Sequence, residues 1–399
     1  MSHPNRFAPA RVRAFVGLVA VAFAVAACGS DSADDAAATS TAAAATSAKS
    51  KVVFDQAFQD KFDKILNDQF AASGLPGVVV SMTIGDQKWV KSLGVGNLEK
   101  KTPILPDDNF RIASITKTFT ATAILQLVDE KKLSLDDTLE PFVAGIPNGD
   151  KITIRNLLGM QSGIYDFTAD DAFEKEFGEN PTLAWTPQQA VDIMKQRPAD
   201  FEPGTKTVYC DSNYILLGLI LEKVTGKTAA EVINEQVVAK LPGLANTNFP
   251  TGVTVTDPHP TAYTPDPADP SKPQLIVDDV NPQVGWTAGA MTSTLDDLEA
   301  WGRELTDETL LSPELKRERL QSNRIDGAPI NLGYGLGVMT INDLVGHNGA
   351  ILGYSSIVLR LPNEDATFVA LGNSSTNSST ATTEIVLSLI QALYPDQIK

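Results

Sequence analysis

The chain has 399 residues, enough for one large domain or two modest ones, and 43% of them are hydrophobic, enough for a sizeable core. Its formal net charge of −17 opposes polyanionic partners, so nucleic acid is not expected as one. Only three histidines (His3, His259, His347) and two cysteines (Cys28, Cys210) are present. None has zinc-ligand spacing, so a metal hydrolase is disfavoured and no cofactor is expected.

Residues 1–27 read as an export signal. Arg6, Arg11 and Arg13 precede the uncharged apolar run from Ala14 to Ala27, which is short for a transmembrane helix. The run ends in Val25-Ala26-Ala27-Cys28, which resembles a bacterial lipobox. That resemblance implies that Cys28 is lipidated, becomes the mature N-terminus and anchors the protein to the outer face of the cell membrane. Lipidation would leave Cys210 without a disulfide partner. Residues 28–51, rich in Ala, Ser, Thr and Asp, read as a flexible tether.

The folded domain is expected over 52–399. Phe54, Phe58, Phe62, Ile65, Leu66 and Phe70 recur at helical spacing, and Gly74-Leu75-Pro76-Gly77 stops that helix. Val78–Ile84 reads as a strand, paired with Lys88–Val95 across a Gly85-Asp86-Gln87 turn. A helix from Ser114 to about Lys131 carries an apolar stripe, Ile115, Phe119, Ala123 and Leu127. Residues 135–325 are mostly helical in pattern, with helices near Pro187–Met194, Asn213–Val224 and Ala229–Leu241. Thr254–Val277 reads as a long irregular loop. Strands return at Tyr334–Met339, Asp343–Gly346, Tyr354–Leu361 and Ala366–Leu371, and a helix over Ala381–Tyr394 follows them. Strands at both ends of the domain are expected to form one antiparallel sheet. The helical insertion makes a second lobe, with the site in the cleft between them.

Ser114-Ile115-Thr116-Lys117 is the one Ser-x-x-Lys in the chain. On a helix this spacing puts the hydroxyl and the amine on one face, one turn apart. A neutral or desolvated lysine there is suited to take the serine proton. Alone, such a serine is as well explained as a helix cap.

Phe110–Thr118, the Ile152–Gly163 segment, Tyr209-Cys210-Asp211 and Gly346-His347-Asn348-Gly349 occur in one order. In this the chain resembles the serine β-lactamase and D-alanyl-D-alanine carboxypeptidase family, in its class C-like branch. The resemblance implies an α/β, β-lactamase/transpeptidase-like fold. It implies that Ser114 forms an acyl-enzyme, that Lys117 shuttles a proton and that Tyr209 relays protons to the leaving group. Cationic neighbours are expected to lower the Tyr209 pKa from about 10. The oxyanion hole is expected at the backbone N–H groups of Ser114 and Ala350, each such donor contributing about 2.7–4 kcal/mol. His347 supports the third motif without being the primary base. Asp211, Trp286, Asn348 and Gly349 are the expected substrate contacts, although a plain packing role fits Trp286 as well.

Two departures bear on the substrate. Asp211 replaces the usual asparagine and cannot donate to a substrate amide unless protonated. No Lys or Arg follows Tyr334-Gly335-Leu336 before His347, where related peptidases carry a carboxylate-binding arginine. The third motif begins with histidine rather than lysine, which tilts away from a dedicated β-lactamase. The leading expectation is a D-alanyl-D-alanine carboxypeptidase-like enzyme acting on small-molecule or peptide substrates of the cell envelope and acylated by β-lactams. An esterase or weak β-lactamase, or a non-catalytic penicillin-binding module, are the alternatives.

Overall fold

The computed structural model describes residues 52–265, 275–307, 309–328, 330–375 and 381–398. Cys28, and with it the expected signal and tether, lies outside them. The strands are β1 (Gly77–Ile84), β2 (Gln87–Gly94), β3 (Phe110–Arg111), β4 (Tyr263–Thr264), β5 (Leu275–Ile276), β6 (Thr292–Ser293), β7 (Asn323–Arg324), β8 (Leu332–Tyr334), β9 (Met339–Ile341), β10 (Leu344–Ile351), β11 (Tyr354–Leu361) and β12 (Ala366–Gly372). The helices are α1 (Gln56–Ser73), α2 (Thr116–Asp129), α3 (Ile154–Leu158), α4 (Asp171–Glu179), α5 (Pro187–Gln196), α6 (Ser212–Thr225), α7 (Ala229–Gln236), α8 (Trp286–Gly289), α9 (Leu295–Asp307), α10 (Pro313–Arg319) and α11 (Ala381–Leu393).

The main sheet runs β2-β1-β12-β11-β10-β9-β8-β7, antiparallel throughout, so strands from both ends of the domain meet at the β1–β12 pair. Val79 faces Leu371 and Met82 faces Phe368 in that register. Both strands are buried along their whole length, which is why they read as apolar runs rather than alternating ones. Helix α1 starts on an Asp55 cap and stops at Gly74, whose left-handed φ of 70° suits glycine. It packs with α11, while α9 covers the sheet residues around β11 and β12.

Four expectations change. The apolar stripe of α2 understates its burial: Thr116, Thr118, Thr120 and Thr122 are buried as well. Their hydroxyls have partners inside the core: Thr118 donates to the Ile115 carbonyl at 2.7 Å, and Thr120 to that of Thr287 at 2.8 Å. Tyr334–Met339 is not one strand. Gly335 and Gly337 turn the chain between β8 and β9. A Cβ on Gly335 would meet the Arg319 carbonyl at 2.1 Å, and one on Gly337 the Ala121 Cβ at the same distance. The helix expected over Ala229–Leu241 ends at Gln236 and continues as a 3₁₀ turn over Val238–Lys240, before Pro242. Within Thr254–Val277, β4 and β5 pair as a short hairpin.

Candidate active site

Ser114 sits in a 3₁₀ turn, Ala113–Ile115, that leads into α2. The residue before it, Ala113, has a φ of +48°, a region that costs a non-glycine residue strain and persists only where surroundings enforce it. The surroundings are specific. β3 pairs with β6, the Ile112 N–H donates to the Met291 carbonyl at 3.0 Å, and Thr116 Oγ1 accepts the Met291 N–H at 3.0 Å. From the sheet side, Ser356 Oγ donates to the Ile112 carbonyl at 2.8 Å. Gly349 lies so close that an added Cβ would stand 2.3 Å from that carbonyl and 3.0 Å from the Ser114 nitrogen. Glycine is required there because backbone meets backbone.

Lys117, fully buried, places Nζ 2.9 Å from Ser114 Oγ, 2.6 Å from Asp211 Oδ1 and 2.8 Å from the Ala288 carbonyl. An ammonium has three donors, and here each has an acceptor. The Asp211 carboxylate and the Ala288 carbonyl are acceptors only, so Nζ donates to both, and the third contact is the Ser114 hydroxyl. The Ser114 hydroxyl also hydrogen-bonds the Tyr209 side chain, and Nζ lies 5.0 Å from the Tyr209 ring centre. The expected acidification of Tyr209 is reversed. Burial first and the Asp211 charge second push its pKa well above the ordinary tyrosine range, because both disfavour a phenolate.

His347 is fully buried on β10. Its Nδ1 faces the Asn348 carbonyl at 2.5 Å, which can only accept, so Nδ1 carries the proton and Nε2 accepts from the Tyr334 hydroxyl at 3.1 Å. Burial, with the Lys117 charge behind it, lowers its pKa to about 3, so the ring stays neutral. The Tyr209, Tyr334 and His347 rings form a cluster with centroids 5.7–6.0 Å apart. The His347 ring nitrogens thus face Tyr334 and its own strand.

The pocket beside the nucleophile is lined by Ser114, Asp211 and Ala350, with Phe167, Val284 and Ile351 among its walls. Asp211 is the only charged residue among the described lining. Two expected contacts lie elsewhere. Trp286 is buried and lies over Gly218 of α6, where an added Cβ would come 2.6 Å from its ring. Its role is packing α8 on α6, since a glycine at 218 lets the two helices touch. The Asn348 side chain points to Thr383 of α11 at 3.4 Å. Gly349 contributes close approach rather than a side chain, and Ala350 brings the strand to the pocket. Cys210 is buried with Sγ donating to the Ile164 carbonyl at 3.4 Å, and burial raises its thiol pKa, so it is inert.

Sequence reading missed Asp166. Its Oδ2 accepts the Asp211 N–H at 3.0 Å, and Oδ1 accepts the Thr168 N–H and hydroxyl at 3.1 and 2.9 Å. It thereby ties the turn carrying Phe167 and Thr168 to Asp211. Burial and the Asp211 charge raise its pKa to about 7. The sequence signal was there in Asp166-Phe167-Thr168, an Asx turn, but nothing local says which wall it joins.

A family model described as Beta-lactamase matches residues 39–392. The chain is 26% identical over 326 residues to the D-aminopeptidase of Brucella anthropi, covering 80% of this chain and 60% of that one. It is 29% identical over 330 residues to Protein flp of Staphylococcus aureus strain N315, covering 79% and 63%. It thus spans about three fifths of the length of these curated relatives. Among solved structures, a D-stereospecific amidohydrolase from Streptomyces sp. superposes with a TM-score of 0.74 at 31% identity, covering 84% of this chain and 98% of that one. An octameric penicillin-binding protein homologue from Pyrococcus abyssi gives 0.73 at 26%, covering 84% and 77%. With the nucleophile, lysine and sheet in place, this chain belongs to the β-lactamase family of serine hydrolases.

Proposed function

We propose that the protein hydrolyses amide bonds of short, D-configured substrates of the cell envelope through an acyl-enzyme on Ser114, while tethered to the membrane by lipid on Cys28. The observation that carries the chemistry is the triangle of Ser114, Lys117 and Asp211 closed by bonds of 2.9 and 2.6 Å on one Nζ. Support for D-configured amides comes from the names of the Brucella and Streptomyces relatives. Strict D-alanyl-D-alanine carboxypeptidase action needs a cation for the terminal carboxylate. The described pocket lining offers Asp211 instead.

The proton path follows from the protonation states. As Ser114 Oγ bonds to the carbonyl carbon, its proton passes to Tyr209 Oη, and Tyr209 gives its own proton to the leaving nitrogen as the C–N bond breaks. Lys117 remains an ammonium and stabilises the charge developing on Oγ. Water then attacks the ester and the relay runs in reverse. The pocket presents Ala350 on the far side, where backbone N–H groups of Ser114 and Ala350 would hold the oxyanion.

The test is intact mass after exposure to a fluorescent penicillin, together with turnover of D-alanine p-nitroanilide. One adduct on the wild type, none on Ser114→Ala, and release of nitroaniline are expected. An adduct that persists on Ser114→Ala refutes the nucleophile. An adduct without anilide turnover refutes the amide reading and leaves an esterase of the same chemistry.

A further inference from the structure

We infer that Asp211 sets substrate specificity: its carboxylate holds the free α-ammonium of the acyl donor, so the preferred substrates carry an unblocked amine next to the carbonyl that Ser114 attacks. The inference rests on the acyl-enzyme reading above.

Three observations carry it. First, Asp211 and Ser114 are held by the same lysine, with 2.6 and 2.9 Å contacts to Nζ, and both line one pocket. In an α-amino acyl group the nitrogen is two bonds from the attacked carbon, so an acyl group on Ser114 brings its amine toward the neighbouring carboxylate. The Asp211 side chain is 14% exposed, open enough to be reached and dry enough for the charge to count.

Second, the charges around Lys117 do not balance. Asp211 is paired with it, and Asp166 stands directly behind, bonded to the Asp211 N–H at 3.0 Å. Arg197 is paired with Asp170 at 2.5 Å. Two carboxyl groups thus stand beside one lysine, and a substrate ammonium adds a second cation to the site. The Asp166 pKa is raised to about 7 by burial first and by the Asp211 charge second.

Third, the remaining walls oppose the alternatives. Phe167, Val284 and Ile351 are apolar, and no described lining residue is cationic. An N-acylated donor puts a neutral amide where the carboxylate asks for a donor with charge. A free carboxylate there meets repulsion.

The experiment compares kcat/KM for D-alanine benzyl ester and N-acetyl-D-alanine benzyl ester, near pH 6.5 so that the amine is charged. Esters are used because any acyl-enzyme hydrolase turns them over, so failure of the amide reading does not silence the assay. The wild type should prefer the free amine by about tenfold or more, since charge-assisted hydrogen bonds contribute about 1.5–3 kcal/mol. Asp211→Asn should bring the ratio near one, while Asp211→Glu should keep most of it. Because each variant serves as its own reference, any loss from disturbing Lys117 cancels in the ratio. Where a variant is too slow, calorimetric binding of D-alaninamide against N-acetyl-D-alaninamide reads the same preference. A wild-type ratio at or below one overturns the inference. A large ratio unchanged in Asp211→Asn also overturns it, by placing the amine elsewhere.

Discussion

The two walls of the cleft are built on opposite plans. The sheet wall, β10 with His347, Gly349 and Ala350, contributes shape: a glycine at backbone contact with the nucleophile turn, and a histidine held neutral by burial. The lobe wall, Tyr209 and Asp211 with Asp166 behind, contributes charge and titratable groups. Lys117 rises from α2 to touch the nucleophile Ser114, Asp211 of the lobe wall and the Ala288 carbonyl. The difference teaches that a histidine in a recognisable motif need not be the base. A ring nitrogen that already faces a carbonyl and a tyrosine hydroxyl is a support.

If protons move on the lobe wall, changes there should cost rate without costing fold. Tyr209→Phe removes the relay oxygen and keeps the ring, which is only partly buried. Its kcat for D-alanine p-nitroanilide should fall by about 10³-fold with an unchanged melting temperature, within the range for lost acid–base catalysis. His347→Gln should stay within about 10²-fold. Steady-state kinetics on both variants decide the matter, and a larger loss for His347→Gln would reverse the roles of the two walls.

Changes on the sheet wall should couple rate to stability. In Gly349→Ala the new Cβ meets backbone on one side and Ser356 Oγ at 2.6 Å on another, so the Ser114 turn must shift. Overpacking of this kind costs about 1–3 kcal/mol. Penicillin acylation should slow by about 10²-fold and the melting temperature should drop by several degrees together. Slow acylation in a protein as stable as the wild type would mean that Gly349 has a chemical role and not a spatial one.

The fold was largely legible because the buried strands are rich in apolar and β-branched residues: Val78–Ile84, Tyr354–Leu361 and Ala366–Leu371 all fall within one residue of β1, β11 and β12. Ser114 and Lys117 were legible because three-residue spacing on a helix is a local property. What could not be read was what the burial does. The Tyr209 pKa depends on its burial and on the Asp211 charge, and the neutrality of His347 on its burial and on the Lys117 charge, which comes from a helix far away in the chain. The family resemblance suggested Trp286 as a cleft residue, with packing an equal alternative, and the opening at Gly218 on another helix turns it inward. Asp166 was silent for the same reason: its partner Asp211 lies 45 positions on.

The smallest expected effect separates the walls by the sign of their pH dependence. Asp166 has a folded pKa raised to about 7 from the usual 3.8, so its protonated form stabilises the fold below pH 4 and that stability is lost as pH rises through 7. His347 has a folded pKa lowered to about 3 from 6.5, so the stability of its neutral form is present above 6.5 and lost as pH falls toward 3. Between pH 4 and 6.5 the two slopes oppose each other, each at most about 1.4 kcal/mol per pH unit. Replacing one should therefore unmask the other. Relative to the wild type, Asp166→Asn should make the melting temperature climb more steeply with pH over this window, and His347→Gln should tilt it the other way, by a few degrees in each case. Calorimetric scans at half-unit intervals from pH 4.5 to 7.5 measure both slopes. Slopes that move in the same direction would show that the walls are not electrostatically distinct, and that the charge imbalance assigned to the lobe wall lies elsewhere.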